Sequence, residues 1–298
     1  MTHSQASRPT YSASNYQVNY RGNHQPIGVF DSGAGGLTVL KELERQLPNE
    51  PLLYLGDTAR VPYGTRSPEE IVEFARQIIT WMVGRNVKMV VMACNTSSAL
   101  ALEKMRQEFD IPILGLIQPA AKLAINQRRR IGVIATPTTA RSHAYRDAIK
   151  GRSPSTAVWE VGCPEFVPIV EGGRINNPET LDIVRTYVQP LLDQGIDSLV
   201  YGCTHYPHLA PVLDQILPGA IARIDPAVSI VRDAKEVLDT LKLHHVAPLQ
   251  NHRFCVTGDK AQFSLLANQW LNEPPTVDQV SLSATISPTL IYPIPLAI

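Results

Sequence analysis

The sequence predicts an α/β protein of two pseudo-symmetric lobes, each a mainly parallel sheet flanked by helices. Short β-rich runs alternate with amphipathic helical patterns, as parallel sheets covered by helices require. The pattern also repeats, since Gly28 and Gly132 lie 104 positions apart in similar runs and Cys94 and Cys203 lie 109 apart. Further elements follow Asp225, and we expect them to pack back on the first lobe.

The first lobe opens with a strand and a helix. Residues 27–33 form an apolar run that ends in small residues, a pattern typical of a buried strand leading into a loop. Leucines spaced three or four positions apart over 37–47 then mark one face of a helix, which Pro48 ends.

A second helix and a second strand follow. Ser67 supplies an N-cap, Pro68 the first helical position and Glu70 the acid of a capping box, so a helix is expected to begin there. Residues 87–93 are mostly apolar and predict a buried strand. Cys94 then lies at the carboxyl end of that strand, where open α/β sheets bind their ligands.

The second lobe repeats this scheme. Apolar runs at 131–135 and 198–201 predict strands, and helical patterns at 140–150 and 178–194 predict helices. Cys203 therefore also lies just past the carboxyl end of a strand.

The chain after position 225 predicts a helix over 229–241, a strand over 253–256 and a helix over 260–271. The expected lobes are 26–117 together with 229–298 for the first, and 118–228 for the second. The apolar tail from Ser283 is interrupted by prolines, and its role stays open.

Composition excludes several classes of protein. With 298 residues, the chain is long enough for two domains of ordinary size. Basic and acidic residues both number 27, so no charge footprint for nucleic acid or an anionic membrane is present. No apolar run approaches the roughly 18 residues that a membrane helix needs.

The first 25 residues and the cysteines bear on location. Residues 1–25 are polar and lack the apolar stretch of a signal peptide, so we interpret them as a disordered extension. The four cysteines are far apart, with no C-x-x-C pair and no histidine spacing of the zinc type, which predicts no metal. Reduced thiols in a cytoplasmic protein fit this pattern best.

The two repeated cysteines are the main functional signal. Across a pseudo-twofold axis, equivalent loops would place Cys94 and Cys203 on opposite sides of one cleft, where a planar intermediate could be approached from both faces. The alternative is that both are buried core residues, since free cysteine is among the most buried residue types. Polar residues follow each cysteine, Asn-Thr after Cys94 and Thr-His after Cys203. They favour a functional role for the thiols because such polar groups are poorly suited to a hydrophobic core.

Each thiol has a candidate partner for acid-base chemistry. A thiolate is both a base and a nucleophile, and helix N-termini or a nearby histidine favour it. His205 lies two residues after Cys203, and Asp31 occupies the matching strand-end loop of the other lobe. An ordinary hydrogen-bonded surface histidine is the alternative for His205. For any single threonine nearby, a helix N-cap is as good an interpretation as a contact with substrate.

The Gly-rich loop from Asp31 to Gly36 invites a phosphate interpretation, which its spacing excludes. Thr38 stands where a dinucleotide motif starting at Gly33 needs glycine, and Lys41 does not complete a P-loop. Small residues there instead allow backbone N–H groups to approach a carboxylate. A tight turn that needs glycine is the alternative.

Four segments resemble the signatures of the glutamate racemase family, in the family's order. They are 28–36, 55–64, 93–96 and 202–207, and 257–259 extends the match. The resemblance implies a cofactor-independent enzyme, commonly dimeric, that makes D-glutamate for peptidoglycan. It also implies two α/β lobes, the second inserted in the first.

The resemblance further implies residue roles. Cys94 would deprotonate D-glutamate and Cys203 L-glutamate, with Asp31 and His205 assisting, and Glu171 would be a partner of His205. The residues expected to line the substrate site are Asp31, Ser32, Pro62, Tyr63, Gly64, Asn95, Thr96, Thr136, Thr139, Thr204 and His205.

Three other functions account for some of these residues. An aspartate racemase of the same superfamily would keep both cysteines, and one methylene of substrate is worth only about 1 to 3 kcal/mol. A Cys-His amidase would use Cys203 and His205 but would leave Cys94 without a task. A non-catalytic amino-acid-binding protein would not explain two thiols at equivalent strand ends.

Overall fold

The computed structural model describes residues 23–126, 129–246, 251–271 and 273–282. The strands are β1 (Ile27–Asp31), β2 (Leu52–Gly56), β3 (Met89–Met92), β4 (Ile113–Gly115), β5 (Arg130–Ala135), β6 (Ala157–Gly162), β7 (Ser198–Gly202), β8 (Ala222–Ile224), β9 (Arg253–Val256) and β10 (Val277–Gln279). The helices are α1 (Leu37–Gln46), α2 (Pro68–Val83), α3 (Asn95–Leu100), α4 (Leu102–Glu108), α5 (Ile117–Ala124), α6 (Pro137–Ser142), α7 (Ala144–Arg152), α8 (Phe166–Glu171), α9 (Pro178–Asp193), α10 (Ala210–Leu213), α11 (Pro226–Leu241) and α12 (Lys260–Trp270). Short 3₁₀ turns cover Tyr63–Thr65 and Tyr206–Leu209.

Two parallel sheets organise the molecule. The first has the order β10-β9-β2-β1-β3-β4 and the second β6-β5-β7-β8. Each sheet thus contains four strands in the same relative order, with β9 and β10 added at the β2 edge of the first. The predicted α/β class is confirmed, and so is the return of the C-terminal elements to the first sheet.

Both faces of the sheets are buried beneath helices. In β1, Ile27 and Val29 belong to one apolar cluster while Phe30 belongs to another on the opposite face. Burial on both faces explains why the central strands are continuous apolar runs. The larger cluster extends from β1 to Leu199 and Tyr201 of β7, so apolar packing joins the two sheets.

The capping box of α2 is confirmed. The backbone N–H of Glu70 donates to Ser67 Oγ at 3.2 Å, and the backbone N–H of Ser67 donates to Glu70 Oε2 at 2.9 Å. These bonds satisfy two donors that have no partner within the helix.

Two predicted helices differ from the observed ones. The helix predicted over 140–150 is two helices, α6 and α7, because His143 adopts a left-handed conformation at φ 55° and its ring pairs with Glu160 at 2.9 Å. Helix α11 begins at Pro226 and not at 229, because Asp225 caps it by accepting from the Ala227 N–H at 2.9 Å.

The expected lobe boundary between 228 and 229 falls inside α11, and the division into lobes stays a prediction. Residues 1–22 and 283–298 lie outside the described residues, so the interpretation of the extension and the tail is untouched. No helix in the described parts of the chain is long and apolar enough to cross a membrane.

A buried ion pair fastens the returning C-terminal part to the first sheet. Lys88, just before β3, pairs with Glu50, just before β2, and both are buried. Lys88 Nζ also donates to the carbonyl of Leu243 at 2.8 Å, and the backbone N–H of His245 donates to Glu50 Oε1 at 3.0 Å. The segment after α11 is therefore held at the amino ends of these strands.

Replacing Lys88 with methionine should lower the free energy of unfolding by about 3 to 5 kcal/mol, because the Glu50 carboxylate would stay buried without its cation. Urea unfolding followed by circular dichroism measures this change. Lys122→Met, at an exposed position of α5, is the matched control and should shift the value by less than about 0.5 kcal/mol. A Lys88→Met protein as stable as the wild type would contradict this role of the pair.

Candidate active site

The carboxyl ends of the central strands meet at one site. Asp31 is the last residue of β1, and Cys94 follows β3 beside it. In the second sheet Thr136 follows β5, and Cys203 follows β7 beside it. Because parallel strands end at the same edge of a sheet, the strand order fixes these side chains as neighbours.

A cavity of about 540 Å³ lies between these ends. Twelve of the thirteen predicted site residues line it: Asp31, Ser32, Pro62, Tyr63, Gly64, Cys94, Asn95, Thr96, Thr136, Cys203, Thr204 and His205. The prediction that Cys94 and Cys203 face one site agrees with this arrangement.

Thr139 is the exception, since it is fully buried and is not part of the cavity wall. Its hydroxyl instead contacts those of Thr96 at 3.1 Å and Thr136 at 2.9 Å, and the latter two are 3.1 Å apart. Thr139 thus supports two wall residues, one from each half of the chain.

The Gly-rich loop supplies the partner of Asp31. The backbone N–H of Gly36 donates to Asp31 Oδ2 at 2.6 Å, and Ser32 Oγ lies 3.5 Å from Oδ1. The sequence predicted that backbone N–H groups of this loop approach a carboxylate. The carboxylate that the Gly36 N–H contacts is the side chain of Asp31. Burial raises the pKa of Asp31, while the charge of His205 and these hydrogen bonds oppose the rise.

Cys94 is a buried thiol beside an acid. Burial and then the negative charge of Asp31 raise its pKa to about 12. In this state of the site the Cys94 sulfur therefore carries its proton at neutral pH.

Cys203 has a cation as its neighbour. Its sulfur lies 3.7 Å from Nδ1 of His205, whose Nε2 lies 3.0 Å from Glu171 Oε1. Burial alone would lower the pKa of His205, but its bonds with Cys203 and Glu171 outweigh burial and raise that pKa to about 10. The predicted contact between Glu171 and His205 is present.

Glycine allows the two halves of the site to approach each other. A Cβ atom on Gly35 would lie 2.5 Å from the His205 ring and 2.6 Å from Thr204 Oγ1. Thr38 Oγ1, one turn along, donates to the Thr204 carbonyl at 3.4 Å. The start of α1 therefore packs directly on the loop that carries Cys203.

Sequence reasoning missed part of the cavity wall. The missed residues are Val61, Thr65, Pro137, Cys163, Pro164, Val167, Pro168 and Gly172, together with Glu171, expected only behind His205. Cys163 follows β6, and recognising that strand would have signalled a third cysteine at a strand end. In the described residues, no group of three or more His, Cys, Asp or Glu side chains could hold a metal ion.

Comparison with known proteins places this site in a class. The family model described as Asp/Glu/Hydantoin racemase matches residues 27–234. A glutamate racemase of Rippkaea orientalis is 54% identical over 268 residues, covering 90% of this chain and 95% of that protein.

Solved structures agree. The glutamate racemase isoform RacE1 of Bacillus anthracis has a TM-score of 0.84 at 34% identity, covering 87% of this chain and 98% of its own. The glutamate racemase of Francisella tularensis, solved in complex with D-glutamate, has a TM-score of 0.83 at 35% identity. The match covers 88% of this chain and 100% of that one.

The chain therefore belongs to the Asp/Glu/hydantoin racemase family. Within that family it belongs with the glutamate racemases, and racemases are isomerases.

Gly35→Ala should lower racemase activity by about a hundredfold, because the added methyl would displace the His205 ring, and misplacement of about 1 Å costs that much. Initial rates by circular dichroism measure the effect. Gly219→Ala, which adds a methyl into open space, is the matched control and should leave the rate unchanged. Equal rates for the two variants would contradict the close packing.

The raised pKa of His205 predicts a pH-dependent stability. Such a group stabilises the fold fully below its unfolded pKa, and the contribution is lost as the pH rises through its folded pKa. The advantage of the wild type over His205→Gln should therefore shrink between pH 6.5 and about 10. The loss should amount to kilocalories per mole, since one pKa unit is worth about 1.4 kcal/mol. Urea unfolding at pH 6, 8 and 10 tests this, and a constant difference would contradict it.

Proposed function

We propose that the protein interconverts L- and D-glutamate without a cofactor, using Cys94 and Cys203 as bases on opposite faces of the substrate. The observation that carries the proposal is the position of these two thiols after equivalent strands of two similarly ordered sheets, on the wall of one cavity. The glutamate bound in solved relatives supports a small amino acid as the substrate.

The proposed reaction from L-glutamate has two proton transfers. The Cys203 thiolate takes the α-proton, and the electron pair left on Cα spreads into the α-carboxylate. The Cys94 thiol then gives its proton to the other face of Cα, which forms D-glutamate and leaves a Cys94 thiolate. The reverse direction exchanges the two roles.

The charges beside the thiols support this assignment. Protonated His205 lies 3.7 Å from the Cys203 sulfur and attracts negative charge there. Asp31 and burial hold the proton on Cys94, which suits a group that must donate it. These two neighbours therefore suit Cys203 to take a proton and Cys94 to give one.

Polar groups on the wall supply candidate contacts for the two carboxylates and the ammonium group. Asn95 Oδ1 accepts from Tyr145 OH at 2.5 Å, and Asn95 Nδ2 is a buried donor without a protein partner. A buried donor left unpaired is costly, so a substrate carboxylate is a suitable acceptor for it. The Thr96 and Thr136 hydroxyls extend this polar wall.

One geometric feature favours the amidase alternative. Cys203, His205 and Glu171 form a chain in the order found in thiol hydrolases. That function would leave Cys94 and Asp31 unexplained, and the close relatives are racemases. The same three residues serve equally well as a base with its charge partner.

Family membership supports a proposal about the cellular role. We propose that the D-glutamate formed enters peptidoglycan, that the enzyme works in the cytoplasm and that it forms a homodimer. All four cysteines are unpaired, as a reducing compartment favours.

Deuterium labelling tests the two-base mechanism. Starting from L-glutamate in deuterium oxide, early D-glutamate should carry deuterium while recovered L-glutamate keeps its hydrogen, because different thiols serve the two faces. Mass spectrometry of the separated enantiomers measures this. Equal label in both, or return of the original hydrogen, would point to a single base.

Cysteine substitutions complete the test. Cys94→Ala and Cys203→Ala should each lower racemisation by about a hundredfold or more, since an acid-base partner contributes that much. Cys255→Ala, a buried core cysteine away from the cavity, is the matched control and should keep near-normal turnover. Near-normal turnover by either cavity variant would overturn the mechanism. Aspartate as substrate tests the choice of amino acid.

A further inference from the structure

Two of the segments that resemble the family, 55–64 and 257–259, are not explained by proton transfer. They meet at Asp57, just after β2, which is fully buried. The loop that follows Asp57 carries Pro62, Tyr63 and Gly64 to the cavity wall. The contacts that hold Asp57 in place therefore also position part of the cavity wall.

Three side chains converge on the Asp57 carboxylate. Thr257 Oγ1 donates to Oδ1 at 2.7 Å, Arg60 Nε donates to Oδ2 at 2.6 Å, and the Tyr63 hydroxyl donates to Oδ2. Burial and the Asp57 charge raise the pKa of Tyr63 well above its usual value, so its hydroxyl stays a donor. We call Asp57, Arg60, Tyr63 and Thr257 the Asp57 latch.

The latch joins the C-terminal strand β9 to the substrate loop. Thr257 Oγ1 also accepts from the backbone N–H of Ala59 at 3.0 Å, and the Gly258 N–H donates to Thr58 Oγ1 at 2.9 Å. A Cβ on Gly258 would lie 2.7 Å from that Thr58 oxygen, so the two segments are in close contact. A hydroxyl at position 257 is needed because it both donates and accepts.

The loop held in this way also touches the other half of the site. The Gly64 carbonyl accepts from Thr138 Oγ1 at 2.6 Å, and a Cβ on Gly64 would lie 2.9 Å from Thr136. The Asp57 backbone N–H in turn donates to the Asp31 carbonyl at 2.9 Å. Of the latch residues, only Tyr63 is on the cavity wall, and Asp57, Arg60 and Thr257 hold the wall segment from outside it.

We propose that Thr257 is a positioning residue for the substrate. Acting through Asp57, its hydroxyl holds the loop from 57 to 65 against the cavity and so sets the affinity for glutamate, not the rate of proton transfer. This inference rests on the proposed function, because it assumes that glutamate occupies the cavity.

Thr257→Val, which removes the hydroxyl and keeps the shape, should raise KM for both glutamate enantiomers about tenfold and leave kcat within about threefold, since uniform binding is lost. Thr257→Ser, which keeps the hydroxyl, should restore the wild-type KM. Thr240→Val, at an exposed position of α11, is the matched control and should change neither constant. A lower kcat at unchanged KM, or no change in either, would overturn the proposal, as would a Ser variant that behaves like Val.

A double-mutant cycle tests the route through Asp57. Tyr63→Phe removes the loop's own donor and should also raise KM. If both hydroxyls act through one carboxylate, the double variant should show a smaller rise than the product of the single rises. A full product would overturn the shared route. If Thr257→Val does not fold, Tyr63→Phe alone tests whether loss of a latch hydroxyl raises KM and leaves kcat nearly unchanged.

Calorimetric measurement of L-glutamate binding distinguishes failure of this proposal from failure of the proposed function on which it rests. A wild type that binds and racemises glutamate, with Thr257→Val binding it equally tightly, would overturn the latch alone. A wild type that neither binds nor racemises glutamate would overturn the proposed function and the latch with it. Weaker binding by Thr257→Val and normal binding by Thr257→Ser would support both.

Discussion

The structure depends on the rule that parallel strands end at a common edge. Asp31 and Cys94 end neighbouring strands of one sheet, and Cys203 ends a central strand of the other. Residues about a hundred positions apart become neighbours because the two sheets turn their carboxyl edges to the same cavity. Strand pairing thus fixes the positions of the two thiols, and the neighbouring side chains need only adjust their reactivity.

Local pattern predicted the parts of the fold that local physics determines. The strands behind Cys94 and Cys203 are buried on both faces, so they are continuous apolar runs that periodicity finds. The α2 capping box and the proline at its first helical position were equally local signals. The cavity residues beside the cysteines followed from their positions after those strands or from the family resemblance.

The parts that the sequence did not predict depend on distant partners. Strands β4, β8 and β10 have only three residues each, too few for periodicity to detect. The break at His143 depends on its pairing with Glu160 on β6, which no window around position 143 contains. The bond from Thr257 to Asp57 crosses 200 positions of sequence, so its motifs were visible but their meeting was not.

The duplicated scaffold carries unlike chemistry at its two equivalent positions. The Asp31 carboxyl group beside Cys94 adds to the rise in the pKa of that thiol, while His205 beside Cys203 has its own pKa raised to about 10 and is a cation that attracts negative charge. A proton can pass from one thiol to the other through a substrate only if one thiol gives it and the other takes it, so unlike neighbours suit the proposed reaction. Under the proposed function, the near-symmetry of the sheets would supply the opposed geometry, and the departure from symmetry would supply one proton donor and one acceptor. Under the proposed function, the identities of residues 31 and 205 matter as much as those of the cysteines they contact.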